Sequence, residues 1–236
     1  MSISDSELNA LKNLDTPTVA NAIELFNVRP RNTGFMRPEV RSIFPEMGVM
    51  VGYACTATIQ ADQPASKTRQ LQVSDYWDSI LRVPKPRVLV MQDLDNPTGV
   101  GSFWGEVQAN IHKRLGCVGA VTNGGVRDLD EIERLGFNLY ASHVLVSHAH
   151  VHLVDFESRV RVGGLVISQG DLIHADRHGV QIVPREIAGR IIKAAGEIRR
   201  LEGEFIDFCK SKEFSINELK IRFPKLREAM SRIVTD

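Results

Sequence analysis

The chain of 236 residues lacks most of the marks that place a protein at once. It has three cysteines, Cys55, Cys117 and Cys209, odd in number, widely spaced and without a C-x-x-C pair. That set builds neither a disulfide framework nor a zinc knuckle, and buried thiols in a reducing compartment are expected. Neither charge is in excess, with 29 basic residues against 29 acidic ones. No global field draws such a chain toward nucleic acid or a membrane surface. No apolar run approaches the roughly 18 residues of a membrane span. Residues 1–7 are polar and carry no hydrophobic signal core. Repeats and low-complexity stretches are absent. A soluble, cytoplasmic protein is the expectation, with no nucleic-acid or membrane partner.

What is present suffices for a core: 43% of the residues are hydrophobic. The length suits one α/β domain, residues 1–200, with a C-terminal helical extension, residues 201–236. Asp15-Thr16-Pro17 predicts a capped helix start, and the spacing of Val19, Ala22, Ile23 and Phe26 carries that helix to about residue 26. Residues 27–48 read as a long loop, 50–59 as a strand, 61–72 as irregular and 75–81 as a short helix. Residues 87–93 form a buried-strand pattern that closes on an acid, followed by turn chemistry over 95–101. A helix over 106–115, a strand over 117–122, a helix over 129–135 ended by Gly136, and a further strand complete a βαβ segment spanning 87–142. That alternation signals a parallel or mostly parallel sheet. Beyond residue 142, short strands broken by Gly163-Gly164, Gly170-Asp171 and the stretch from Asp176 to Gly179 read as antiparallel hairpins. Ile187, Ile191, Ala194 and Ile198 stripe one face of a helix over 186–201. A last amphipathic segment is broken at Phe223-Pro224.

The chemistry gathers at residues 123–128, Asn-Gly-Gly-Val-Arg-Asp, which follow the 117–122 strand directly. Ligands of α/β proteins collect at the carboxyl ends of parallel strands. Arg127 offers a planar fork for a carboxylate or phosphate. Asp128 offers a hard oxygen for Mg²⁺ or Mn²⁺. Turn and cap chemistry accounts for everything here except the arginine, with Asp128 as a cap for the helix over 129–135. A second corner, Gly101 to Gly105, precedes a helix opened by Glu106, twenty-one positions before Arg127. Its first amides, those of Val107 and Gln108, make an anion site. Two such corners can face each other across one pocket.

Several segments together resemble the RraA-like family: Gly105-Glu106, Gly119 to Asp128, Gly163-Gly164, Gly170 to Asp176, and Gly179 to Pro184. The resemblance covers about residues 16–191. The family includes class II aldolases that cleave 4-hydroxy-4-methyl-2-oxoglutarate and 4-carboxy-4-hydroxy-2-oxoadipate. It implies a layered fold like the swivelling phosphohistidine domain, and homotrimers or homohexamers with active sites at subunit interfaces. It implies that Asp128 ligates a divalent metal and that Arg127 holds the substrate carboxylate and C2 oxygen. Gly105 and the amides of Val107 and Gln108 would bind the pyruvyl carboxylate. Glu106 would orient metal-bound water and proton transfer, although the aldolases carry aspartate there. A carboxylate from a neighbouring subunit also serves the family site, and Glu197, Glu202 and Glu204 are all eligible. The implied activity is metal-dependent release of pyruvate from a 4-hydroxy-2-oxo acid, with oxaloacetate decarboxylation alongside. Two alternatives stand beside it: a non-catalytic regulator that binds and inhibits RNase E, and a different metal-dependent lyase or hydrolase on the same scaffold.

That last alternative draws on His143, His148, His150 and His152. If 148, 150 and 152 lie in one strand they share a face, as a metal site, as a polar or interface surface, or as the wall of a substrate-tail pocket. Phe103-Trp104, beside Gly105, reads either as a substrate-facing wall or as core. The glycine turns after 163 read as structural.

Overall fold

In the computed structural model the described residues are 3–66 and 71–234; residues 67–70, part of the expected irregular stretch 61–72, lie outside them. The chain forms two compact units, one from its N-terminal 31 residues and everything from Pro184 onward, the other from Asn32–Val183.

The elements run in chain order as follows. Helix α1 (Asp5–Lys12) was not foreseen, yet its signal is local: Ser4 and Glu7 form a reciprocal capping box. Helix α2 (Thr16–Leu25) starts at Asp15, whose side chain accepts the Thr18 amide, with Pro17 in the first turn. A two-residue strand β1 (Arg41–Ser42) and a 3₁₀ turn interrupt the expected 27–48 loop. Then come β2 (Met50–Gln60), α3 (Val73–Leu81) and β3 (Arg87–Asp93). The next stretch holds β4 (Ser102–Trp104), α4 (Glu106–Arg114), β5 (Cys117–Thr122), β6 (Gly125–Val126) and α5 (Leu129–Leu135). After it lie β7 (Asn138–Ala141), β8 (His143–Val144) and β9 (His152–Phe156). Strands β10 (Val160–Val162), β11 (Leu165–Ile167), β12 (Leu172–Asp176) and β13 (Gly179–Val183) precede α6 (Ala188–Lys210) and α7 (Ile216–Arg232).

In the unit Asn32–Val183 the main sheet has the order β1-β7-β5-β3-β2-β12-β13, with β9 also on β2. The pairs β2–β3, β3–β5 and β5–β7 are parallel, as the βαβ reading expects. β10–β11 and β12–β13 are antiparallel hairpins, turning at Gly163-Gly164 and before Gly179. The fold is thus mixed α/β. β2 is buried on both faces along nearly its whole length, which is why its sequence does not alternate. Its Met50 and Ala54 join Val88, Val90, Val121, Tyr140 and Ile173 in the core.

Buried Arg87 opens β3 and ties two helix ends. Its guanidinium donates to the carbonyls of Leu81, at the end of α3, and Leu115, at the end of α4. A cation at two negative helix ends is favourable. Cys55 and Cys117 are buried there, and burial pushes the Cys55 thiol up to about 12. Cys209, by contrast, is exposed, because its position on α6 falls on the outer face; the expectation of buried thiols fails for it.

In the other unit, α6 carries the foreseen stripe, with Ile191, Ala194 and Ile198 buried and α1 and α2 packed along the helix. The expected division at residue 200 falls inside this continuous helix. The expected break at Pro224 is also absent: α7 runs through it. Proline costs one helical hydrogen bond, but the carbonyl of Lys220 that loses its donor is on an exposed stretch and open to water.

Candidate functional site

The site rests on a second, small sheet that the sequence reading did not separate from turns. β4, β6 and β8 pair in parallel, with Ser102 opposite Gly125 and Trp104 opposite Val126. Strands of two or three residues are too short to show alternation. The ladder continues one step further, where the Arg127 amide donates to the Trp104 carbonyl (3.0 Å). β4 therefore delivers Gly105 and the start of α4 beside the Arg127-Asp128 corner. The Ser102 hydroxyl, buried between the strands, lies 2.7 Å from the Trp104 carbonyl and 2.9 Å from that of Gly125.

The two corners touch. Asp128 does not cap its own helix α5; no side-chain cap bond is made there. Instead its Oδ2 accepts the amide of Glu106 at the head of α4 (2.9 Å). This corrects the expected cap role and gives a reason for the unusual backbone of Asp128, which sits at φ 56° and ψ 48°. The Arg127 Nε lies 3.9 Å from the same oxygen. Gly105 separates them: a Cβ there would stand 2.6 Å from Asp128 Oδ2 and 3.2 Å from Arg127 Nε. Only glycine lets the two corners close to this distance.

Behind the corner, Asn123 braces the strand ends. Its side chain accepts the Asp93 amide (2.8 Å) and donates to the Asp93 carbonyl (2.9 Å). The Asp93 carboxylate accepts the amides of Asp95 and Gly99. The buried Asp95 carboxyl is held above the usual range, by desolvation first and by Asp93 next. Beneath α4, His112 is fully buried. Its Nδ1–H donates to the Gln108 carbonyl (2.7 Å), which leaves Nε2 to accept the Tyr76 hydroxyl (3.0 Å). Burial pushes its pKa down to about 4, so it is neutral and anchors the first turns of α4.

Glu106, Val107, Gln108, Arg127 and Asp128 all line one cavity of about 230 Å³. The Glu106 side chain is exposed to it, and Val107 is 70% exposed. The amides of Val107 and Gln108, in the first turn of α4, make no protein hydrogen bond among the described residues and remain open to an anion. The structure therefore brings Gly105, Glu106, Val107, Gln108, Arg127 and Asp128 together at one cavity.

It adds Phe103, His148 and Val151 to the same cavity. Trp104 is fully buried, so the aromatic pair splits into one core residue and one wall. The histidines separate. His148 and His150 lie in a turn, not a strand, so the shared-face argument fails for them. His148 Nδ1 bonds the Ala149 carbonyl (2.7 Å) and His152 Nδ1 the His150 carbonyl (2.9 Å). His143 lines a different cavity, with Arg37, Arg41 and Arg161. Among the described residues no three His, Cys, Asp or Glu side chains gather as a metal-binding group. Asp128 nevertheless suits a cation such as Mg²⁺, which keeps most of its waters and takes one or two carboxylates: its Oδ1 has no partner among the described residues and its side chain is about a third exposed.

The unit is a mixed α/β fold in which two loop-to-helix corners close on an Arg-Asp pair at the carboxyl end of a parallel strand. The profile of the RraA-like family, described as Aldolase/RraA, matches residues 15–182, and the chain belongs to that family. An uncharacterized protein of Methanocaldococcus jannaschii is 23% identical over 95% of this chain and 93% of its own. Among solved structures, an uncharacterized protein of Pseudomonas syringae pv. tomato is similar with a TM-score of 0.73 at 22% identity, covering 94% of this chain and 95% of that one. RraAS2 of Streptomyces coelicolor, an unusual member of the RNase ES inhibitor RraA protein family, is similar with a TM-score of 0.69 at 20% identity, covering 88% and 98%. At these identities the likeness concerns the fold. No helix among the described residues is long and apolar enough to cross a membrane.

Proposed function

We propose that the protein is a divalent-metal-dependent carbon–carbon lyase of the class II aldolase type. It cleaves a 4-hydroxy-2-oxo acid to release pyruvate and decarboxylates oxaloacetate as a side activity. One observation carries the reading: the Asp128 carboxylate is pinned to the head of α4, with Arg127 beside it and the Val107 and Gln108 amides open into the same cavity.

The substrate carboxylate sits against those two amides and the start of α4, where the helix field favours an anion. Arg127 faces the C2 oxygen, where negative charge builds as the C3–C4 bond breaks, and stabilises it electrostatically. Asp128 holds Mg²⁺ or Mn²⁺, which when bound supplies a Lewis acid at the 2-oxo acid head. Glu106, exposed at the cavity mouth, relays the C4 hydroxyl proton. His148 stands on the same wall, its Nδ1 held by the Ala149 carbonyl and its Nε2 without a partner among the described residues, placed to exchange a proton with the enolate. The swivelling-domain likeness and a homotrimer or homohexamer with interface sites belong to the same proposal. On α6, Glu197, Glu202 and Glu204 all remain eligible as the carboxylate given to a neighbour's site, with Glu197 and Glu204 paired to Arg200 in the single chain.

The test is pyruvate formation from oxaloacetate above the metal-only rate, with Mg²⁺ or Mn²⁺, lost with chelator and lost in Asp128→Ala. A wild-type protein inert with every divalent metal would overturn the lyase reading. The second reading, a regulator that binds RNase E, is favoured by the likeness to RraAS2. RNase E binding that survives Arg127→Ala supports it. The histidine-based hydrolase loses its premise, since the four histidines do not converge.

A further inference from the structure

Next to the Arg127 cavity lies a second one, of about 320 Å³, and the two share three walls: Phe103, Gln108 and Val151. Its remaining lining is apolar and aromatic, chiefly Leu71, Val73, Tyr76, Trp77 and Leu153, with His152 at one side. Arginine, lysine, aspartate and glutamate are all missing from its described walls. The Tyr76 hydroxyl is turned inward to His112, so Tyr76 offers the cavity its ring and not its oxygen. Val73 and Trp77 are large apolar side chains left 49% and 36% exposed at this place, an arrangement that costs free energy unless something apolar covers it.

Resting on the lyase reading above, we infer that this second cavity receives the C4 substituent of the substrate and that the substituent is an aryl or branched alkyl group, not a carboxylate. The head group is fixed by Arg127 and the amides of Val107 and Gln108. The rest of the molecule must leave past the shared walls, and Gln108 and Phe103 direct it into the apolar side. Roughly 150 Å³ of apolar space is enough to take up benzene, so the volume here admits an aryl group with its linker. A carboxylate placed there would lose its water and meet no cation among the described walls. The two named family substrates, which carry carboxylates beyond C4, are therefore poor fits.

The reaction is R–CH(OH)–CH₂–CO–COO⁻ to R–CHO and pyruvate. The C4 hydroxyl proton leaves, the C3–C4 bond breaks with its electron pair going to C3, and a proton returns to C3, so atoms and electrons balance without a further reactant.

The test compares kcat/KM for pyruvate release from 4-hydroxy-2-oxo acids that differ only at C4, phenyl and isobutyl against carboxymethyl, with oxaloacetate as a substrate that has only the head. The phenyl and isobutyl compounds should win by roughly 100-fold, the scale at which apolar pockets discriminate. In Trp77→Arg, and independently in Val73→Arg, that ratio should collapse toward one. Both positions are partly exposed, and a melting curve for each variant shows whether it has folded. Equal or better cleavage of the carboxymethyl compound, while oxaloacetate is still decarboxylated, overturns the apolar-tail inference and leaves the lyase reading standing. A protein that does not act on oxaloacetate with any metal overturns both.

Discussion

Adding one methyl group at Gly105 should disable the site while leaving the fold nearly intact. The backbone of Gly105 is extended, at φ −146° and ψ −176°, so alanine is not strained in itself. The difficulty is space: the new Cβ would meet Asp128 Oδ2 at 2.6 Å, whereas ordinary contact begins at 3.4 Å. The backbone around Asp128 cannot yield easily, because the Arg127 amide is bonded to Trp104 and the Asp128 carbonyl accepts the Ile132 amide. The carboxylate must therefore swing by close to an ångström and release the Glu106 amide. A hydrogen bond to a charged acceptor contributes about 1.5–3 kcal/mol. With the Asp128 side chain a third exposed, about 1 kcal/mol is expected here. For a chain of this size that lowers the melting temperature by only about 2–4 °C. Misplacing a reacting group by about 1 Å costs on the order of 100-fold in rate. Gly105→Ala should thus melt near the wild type, lose about two orders of magnitude in kcat/KM for oxaloacetate, and bind Mn²⁺ more weakly by calorimetry. Full activity in this variant would refute the claim that Gly105 closes the two corners on each other.

Three further outcomes follow from the same geometry. His112, with its pKa depressed to about 4 against about 6.5 in an unfolded chain, binds a proton only on unfolding between those values; stability should be constant above pH 6.5 and fall by about 3 kcal/mol as pH drops to 4, and a denaturant series in which His112→Gln shows the same slope would count against it. Arg127→Lys should weaken pyruvate binding roughly tenfold or more, since it removes the planar fork, while Mn²⁺ affinity changes little; an unchanged pyruvate constant by calorimetry would contradict the assignment. Pro224→Ala restores a helical hydrogen bond in α7 and should stabilise that unit, by at most about 3 kcal/mol; a lower melting temperature would show that the proline has a packing role.

The long, periodic elements were legible from the residues alone. β3, β5 and α5 begin and end where their patterns do, and the Asp15-Thr16-Pro17 cap starts α2 as read. The parallel order followed from strand–helix alternation. What escaped was short or conditional on tertiary contact. β4 and β6 are three and two residues long, and nothing in their composition distinguishes them from turns. Histidines 148 and 150 looked like part of a strand because polar alternation in a turn mimics a β period. The proline in α7 looked like a stop because helix rules weigh backbone cost more than solvent access. That Glu106, Arg127 and Asp128 would lie at one cavity was legible from spacing, and their linkage was not. That Asp128 would reach across to the head of α4 depends on β4 lying beside β6, a pairing between segments more than twenty residues apart.

The most direct measurement is a crystal structure of the protein with Mg²⁺ and pyruvate. The account predicts pyruvate with its carboxylate on the amides of Val107 and Gln108 and its C2 oxygen toward Arg127, and the metal on Asp128. Pyruvate and metal bound elsewhere, with that cavity still filled by water, would contradict it.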